Sequence, residues 1–87
     1  MYKRQVALNR AVAIAERDGP AAGLQLVDTL LADDTLASYQ PAHAARADFL
    51  RRLGRKDEAR DAYVKARTLT QQEPERRFLA ARIADLG

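Results

Sequence analysis

The sequence predicts an all-α fold of stacked antiparallel helical hairpins, and three observations predict it. Arginine and alanine dominate a chain of 87 residues that holds only 4 glycines and 3 prolines, a composition that favours helix because such side chains lose little freedom in one. Apolar residues recur at helical spacing in five segments, each closed by a recognisable stop. The apolar pattern then returns after a shift of 36 positions.

Each element can be justified in order. From Tyr2 to Arg17, the residues Val6, Leu8, Ala11, Ile14 and Ala15 form an apolar surface at helical spacing. Asp18-Gly19-Pro20 ends this helix and starts the next, since glycine takes a left-handed closing conformation and proline suits a first turn. The second helix runs to about Ala32, with Leu24, Val27, Leu30 and Leu31 on one side. Asp33-Asp34-Thr35 breaks it, and Leu36 is expected under the loop. The third spans about Tyr39 to Leu53, with Ser38 as its expected N-cap and Pro41 in the first turn, where amides lack intrahelical partners. Ala44, Ala47, Phe49 and Leu50 supply its apolar contacts, and Gly54 stops it. The fourth runs from about Lys56 to Thr70, with Asp57 and Glu58 favouring its positive end. Thr70 to Glu73 reads as a capping box before a fifth helix. That helix has Pro74 near its start, places Phe78, Leu79, Ile83 and Leu86 on one face, and ends at Gly87.

The 36-residue shift carries Ala11 onto Ala47, Ile14 onto Leu50, Gly23 onto Ala59, Val27 onto Tyr63 and Leu30 onto Ala66. A second shift carries Ala47 onto Ile83 and Leu50 onto Leu86, so the fifth helix begins a third unit. The period lies close to the roughly 34 residues of tetratricopeptide repeats, whose hairpins stack because one alone cannot bury its apolar stripe. The expectation is one tetratricopeptide-like domain over 1–87, a right-handed stack. Repeat 1 falls at about 4–36, repeat 2 at about 40–71, and a capping helix at about 74–86. Small residues at Ala47, Ala59 and Ala66 let paired backbones approach, while Leu50 and Tyr63 fill the space between. Two departures from the repeat pattern are Gln71, in place of the usual closing proline, and Arg46, where leucine is commoner. Gly23, inside a helix at about 1 kcal/mol against alanine, is expected to let the first two helices pack tightly.

Composition limits the function classes. The absence of cysteine removes disulfides, thiolate metal sites and a cysteine nucleophile. No apolar run approaches the length of about 20 residues that a membrane span needs, nor is there a signal peptide's apolar stretch, so a cytoplasmic protein is expected. The formal charge of +3 comes from 15 basic against 12 acidic side chains. So slight an excess reads as a mixed-charge surface, and direct DNA binding is not expected.

Several short motifs, in order and with matching spacing, resemble the C-terminal region of certain bacterial sigma factors. They are Val6-Ala7-Leu8-Asn9-Arg10-Ala11-Val12-Ala13 followed by Asp18-Gly19-Pro20, then His43-Ala44-Ala45-Arg46-Ala47-Asp48, Leu50-Arg51-Arg52-Leu53-Gly54-Arg55 and Glu75-Arg76-Arg77-Phe78-Leu79. The similarity is to extracytoplasmic-function-type sigma factors that carry a C-terminal tetratricopeptide-like extension, and it covers nearly all the chain after the first five residues. In that family, promoter recognition and polymerase binding belong to two upstream sigma regions, for which this chain has no room. The resemblance therefore implies a regulatory or interaction module that contacts sigma core regions or RNA polymerase during transcription initiation. Met1 is expected to open an excised piece of a longer protein. The alternative is a free-standing adaptor that binds a peptide of an unrelated protein.

No catalytic constellation, metal site or cofactor site is read. His43 is the only histidine and is expected to pack within the repeat, while Asp33-Asp34 and Asp57-Glu58 suit caps and helix dipoles. Tetratricopeptide folds bind peptides on a concave side formed by the first helix of each pair. By alignment this candidate groove comprises Gln5, Leu8, Asn9 and Val12, then Ala44, Asp48 and Arg51. Asn9 stands out, because a carboxamide both donates to and accepts from an extended backbone; a local hydrogen bond is its other reading. A candidate basic contact patch comprises Arg52, Arg55 and Lys56, beside Arg51, with Arg76 and Arg77. It would meet an acidic protein surface, or else simply place cations at a helix C-terminus. The expected state is a monomer or a weak homodimer.

Overall fold

A computed structural model describes residues 2–33 and 36–86. Five helices make up the described chain, with no strand among the described residues: α1 (Tyr2–Asp18), α2 (Pro20–Leu31), α3 (Gln40–Arg52), α4 (Lys56–Thr68) and α5 (Glu73–Asp85). The bounds fall within two residues of those expected. Asp34 and Thr35, expected to help break the second helix, and Gly87, the expected end of the fifth, lie outside the described residues, as does Met1.

The turns follow from local chemistry. Gly19, at φ 99°, is the single residue between α1 and α2; its amide closes on the Ala15 carbonyl at 2.8 Å. Gly54, at φ 77°, ends α3 with two bonds, its own amide to Arg51 O and the Arg55 amide to Leu50 O, both at 3.0 Å. A left-handed residue is needed there to turn the last amides back on the helix. Two expected caps are corrected. The N-cap of α3 is Tyr39, not Ser38, and it makes no side-chain cap bond. The expected capping box at Thr70 and Glu73 is absent, because the N-cap of α5 is Gln72. The buried Thr70 hydroxyl instead donates to Glu75 at 2.9 Å and accepts from the Gln72 amide at 3.3 Å.

Each helix packs on the next, most extensively within the pairs α1/α2 and α3/α4, and α1 also touches α3. The core runs through the stack from Ala11, Ala15, Leu24 and Val27 to Ala47, Phe49, Leu50, Ala59, Tyr63, Ala66, Leu79 and Leu86. The repeat-related pairs Ala11/Ala47, Gly23/Ala59 and Val27/Tyr63 are all buried. Burial of small residues at the same register in both pairs is what lets backbones approach and larger neighbours interlock. Gly23 makes this concrete: a Cβ there would stand 2.6 Å from the Ala15 Cβ and 3.0 Å from the Phe49 ring. Leu36 is buried beside the loop, as expected. Val6 and Phe78, both expected on apolar packing faces, are instead 52% and 55% exposed. α5 turns Leu79 and Leu86 into the core, and Phe78, the residue before Leu79, therefore points away.

Candidate functional site

The surface formed by α1 and α3 carries the expected groove residues, and their environments differ. Gln5 and Asn9 lie one helical turn apart on α1, so their side chains are neighbours. Gln5 Nε2 donates to Asn9 Oδ1 at 2.9 Å, and Gln5 Oε1 accepts from the Tyr39 hydroxyl at 2.7 Å. The Arg4 guanidinium lies over the same Tyr39 ring, 4.8 Å from its centroid. Tyr39 thus ties the start of α3 to α1 and leaves the Gln5 and Asn9 carboxamides exposed, with bonding capacity unspent. Val12 continues the exposed row. Leu8 does not belong to this surface: it is buried as part of the apolar interior. Ala44 is half-buried and packs against the core.

Further along α3, Asp48 is held by Arg51 at 2.6 Å and Arg52 at 3.5 Å. The Asp48 carboxylate, and after it the Tyr63 hydroxyl, raise the Arg51 guanidinium above its ordinary range. Arg51 Nε and the Tyr63 hydroxyl are both buried without a partner in hydrogen-bond geometry, so we read the Tyr63 effect as electrostatic proximity, not a formed bond. Arg51 is accordingly a half-buried cation paired within α3 more than a free ligand-binding one.

The basic residues do not form one patch. Arg52, Arg55 and Lys56 surround the α3–α4 turn, whereas Arg76 and Arg77 sit in the first two turns of α5. These two places lie at opposite ends of α4, whose 13 residues span about 20 Å. Arg55 chelates Glu58 through two bonds at 2.9 and 2.7 Å, which holds the Glu58 carboxyl below its ordinary value. Arg77 pairs with Glu73 at 3.3 Å. Arg76 is spent on structure: its Nη1 donates at 2.9 Å to the carbonyl of Arg67, in the last turn of α4, and at 3.1 Å to that of Thr70, in the turn that follows. Arg67, Glu73, Arg76, Arg77 and Ala80 line an open dent of about 230 Å³.

His43 stands half-buried, with Nε2 2.7 Å from the Ala37 carbonyl, so it pins the α2–α3 loop to α3. Among the described residues no group of three or more His, Cys, Asp or Glu side chains is placed to hold a metal ion. No described helix is long and apolar enough to cross a membrane.

Sequence reasoning missed Tyr39, whose role depends on a partner 34 positions away. It also missed Arg10 and Arg82 as the counterparts of Arg46, although the 36-residue spacing of the three was a readable signal. Arg46 joins α3 to α2 through Asp28 at 2.7 Å.

No protein-family model matches the chain, and no solved structure does. The chain is similar to an uncharacterized protein of Rhizobium meliloti (strain 1021), 37% identical over 82 residues that cover 94% of this chain and 19% of that protein. The chain thus spans about a fifth of the length of the relative it matches.

Proposed function

We propose that this chain is a tetratricopeptide-like protein-interaction module that regulates a bacterial sigma factor, acting in the cytoplasm during transcription initiation through contacts with sigma regions or RNA polymerase. The observation that carries the interaction reading is the exposed row Gln5, Asn9 and Val12 beside Tyr39 on α1 and α3. Two carboxamides with spare donors and acceptors, fixed by one tyrosine, are suited to an extended backbone, and little side-chain order remains to be imposed on binding. The sigma-factor setting is supported by the ordered motifs from Val6 to Leu79. A relative of which the matched stretch is only about a fifth is compatible with an attached module.

The test is binding of the purified chain to the sigma regions and to core polymerase of its own organism, by calorimetry, with Asn9→Ala alongside. Micromolar binding that Asn9→Ala weakens several-fold is the expected result. A gene with no sigma regions in frame, together with no binding to polymerase, would end this reading. The same carboxamide row supports the second reading, an adaptor for an unrelated peptide. That reading predicts capture of extended peptides by a chain that ignores sigma regions.

A further inference from the structure

The repeat register singles out a face that both proposed readings leave unused. In α3 one face meets the preceding helix α2. Ala42 and Phe49 on it are 2% and 3% exposed, Phe49 lies against Gly23, and Arg46 reaches Asp28 at 2.7 Å. A shift of 36 positions places Val6, Arg10 and Ala13 on the corresponding face of α1. There the same three positions are open: Val6 is 52% exposed, and Arg10 and Ala13 are exposed as well. Arg10 has no ion pair or hydrogen bond among the described residues. The third arginine of the series, Arg82 on α5, sits where α4 offers Val64 in place of Asp28, and its guanidinium covers the Phe78 ring at 5.2 Å. The arginine at this register has a carboxylate or an aromatic ring in two units and neither in the first.

We infer that the Val6–Arg10–Ala13 face of α1 is the seat of a further helix of the α2 type from the same polypeptide. It runs antiparallel to α1 and carries a carboxylate that pairs with Arg10. Charge complementarity sets the first requirement, an aspartate or glutamate at the place of Asp28. Shape sets the second. Ala13 stands where α3 has Phe49, so the incoming helix carries a residue larger than glycine five positions before that carboxylate, filling the space that Gly23 must leave free. The stacking logic of helical repeats supplies the reason, because an α1 of this sequence leaves an apolar and cationic face uncovered that its counterpart in the next unit buries. The Rhizobium meliloti relative, about four-fifths of which lies outside the match, has chain enough to supply such a helix. The inference holds whether or not the sigma-factor reading does.

The experiment extends the full chain with a copy of residues 1–36 placed directly before it, which restores the Asp28-to-Arg46 spacing between the copied Asp28 and Arg10. The copy carries Gly23→Ala together with Ala15→Gly, because its own Ala15 Cβ would otherwise stand 2.6 Å from the added methyl. The expected result is a single thermal transition raised by roughly 5 °C or more, which Arg10→Ala lowers in the extended chain but not in the parent. An extended chain whose transition is unshifted, or in which Arg10→Ala acts equally in both backgrounds, overturns the inference. If the extension does not fold, a synthetic peptide of residues 20–31 is titrated into the 87-residue chain and followed by NMR. Shifts centred on Val6, Arg10 and Ala13 support the seat, and shifts confined elsewhere overturn it. A chain that dimerises by light scattering, with the dimer lost in Arg10→Glu, identifies a second copy as the occupant and overturns the same-polypeptide assignment.

Discussion

Gly23 shows how a residue's helix propensity and its packing can point in opposite directions. In an exposed helix, Gly→Ala stabilises by up to about 1 kcal/mol. Here the added methyl would stand 2.6 Å from Ala15 and 3.0 Å from the Phe49 ring, and a close-packed core resists such insertion by about 1–3 kcal/mol. Gly23→Ala is therefore expected to lower stability in urea unfolding, and a stabilised variant would refute the close approach of α1, α2 and α3. Arg76 and Arg77 form a second contrast between neighbours. Arg76 donates to one carbonyl in the last turn of α4 and to one in the turn that follows, and charged hydrogen bonds of this kind contribute about 1.5–3 kcal/mol. Arg77 belongs to an exposed pair, which contributes little. Thermal melts should show a clear loss for Arg76→Ala and almost none for Arg77→Ala. Arg55 and Glu58 add a weak pH dependence. The Glu58 carboxyl is held below its ordinary 4.5, so its contribution is present above that pH and disappears as pH falls through the lower folded value.

At the scale of elements, the pairing of α3 with α4 rests on small residues at fixed register. Ala59 and Ala66 are wholly buried, and Leu50 and Tyr63 fill what they leave. Three extra carbon atoms at Ala59 have no room without separating the helices. Ala59→Leu is expected to abolish the native helical signal in circular dichroism, or to lower the melting temperature by well over 10 °C. Native helicity with unchanged melting would show that α3 and α4 do not meet there. The helix bounds themselves were legible, since Gly19, Pro20, Gly54 and Pro74 punctuate the chain through their own backbone preferences. The caps were less legible. Ser38 and Thr70 have the right chemistry for N-caps, but the chain enters α3 and α5 one and two residues later, where Tyr39 and Gln72 serve. A side chain that is free to choose between a cap and a longer-range partner takes the partner when tertiary packing brings one, as Thr70 does with Glu75.

The whole molecule has a Cα radius of gyration of 12.2 Å, which equals the value of about 12 Å expected of a compact chain of this length. Its two helix pairs are tied across α2 and α3 by Phe49 over Gly23 and by Arg46 with Asp28. The formal charge is +3, and much of the basic charge is already matched within the fold, in seven ion pairs among the described residues. Weak attraction to duplex DNA is therefore the expectation, because phosphate binding works through concentrated basic charge. Fluorescence anisotropy at low salt should therefore show no salt-dependent DNA binding. A steep loss of affinity between low and physiological salt would reverse this and turn attention to Arg52, Arg55 and Lys56.

The sequence by itself determined the helices, their turns and the 36-residue register, because these depend on backbone preferences and on apolar spacing carried by neighbouring residues. It also determined which small residues are buried, since Ala11 and Ala47, and Gly23 and Ala59, recur at equivalent places in successive units. Only the tertiary structure decided which faces are left open. Leu8 went into the core while Asn9 stayed out, Phe78 turned to the surface, and the basic residues separated to the two ends of α4. Helical spacing fixes the angle of each side chain about its own axis. Which of those angles meets a neighbouring helix depends on how the helices are rotated against one another, and that is settled by contacts among residues far apart in the chain.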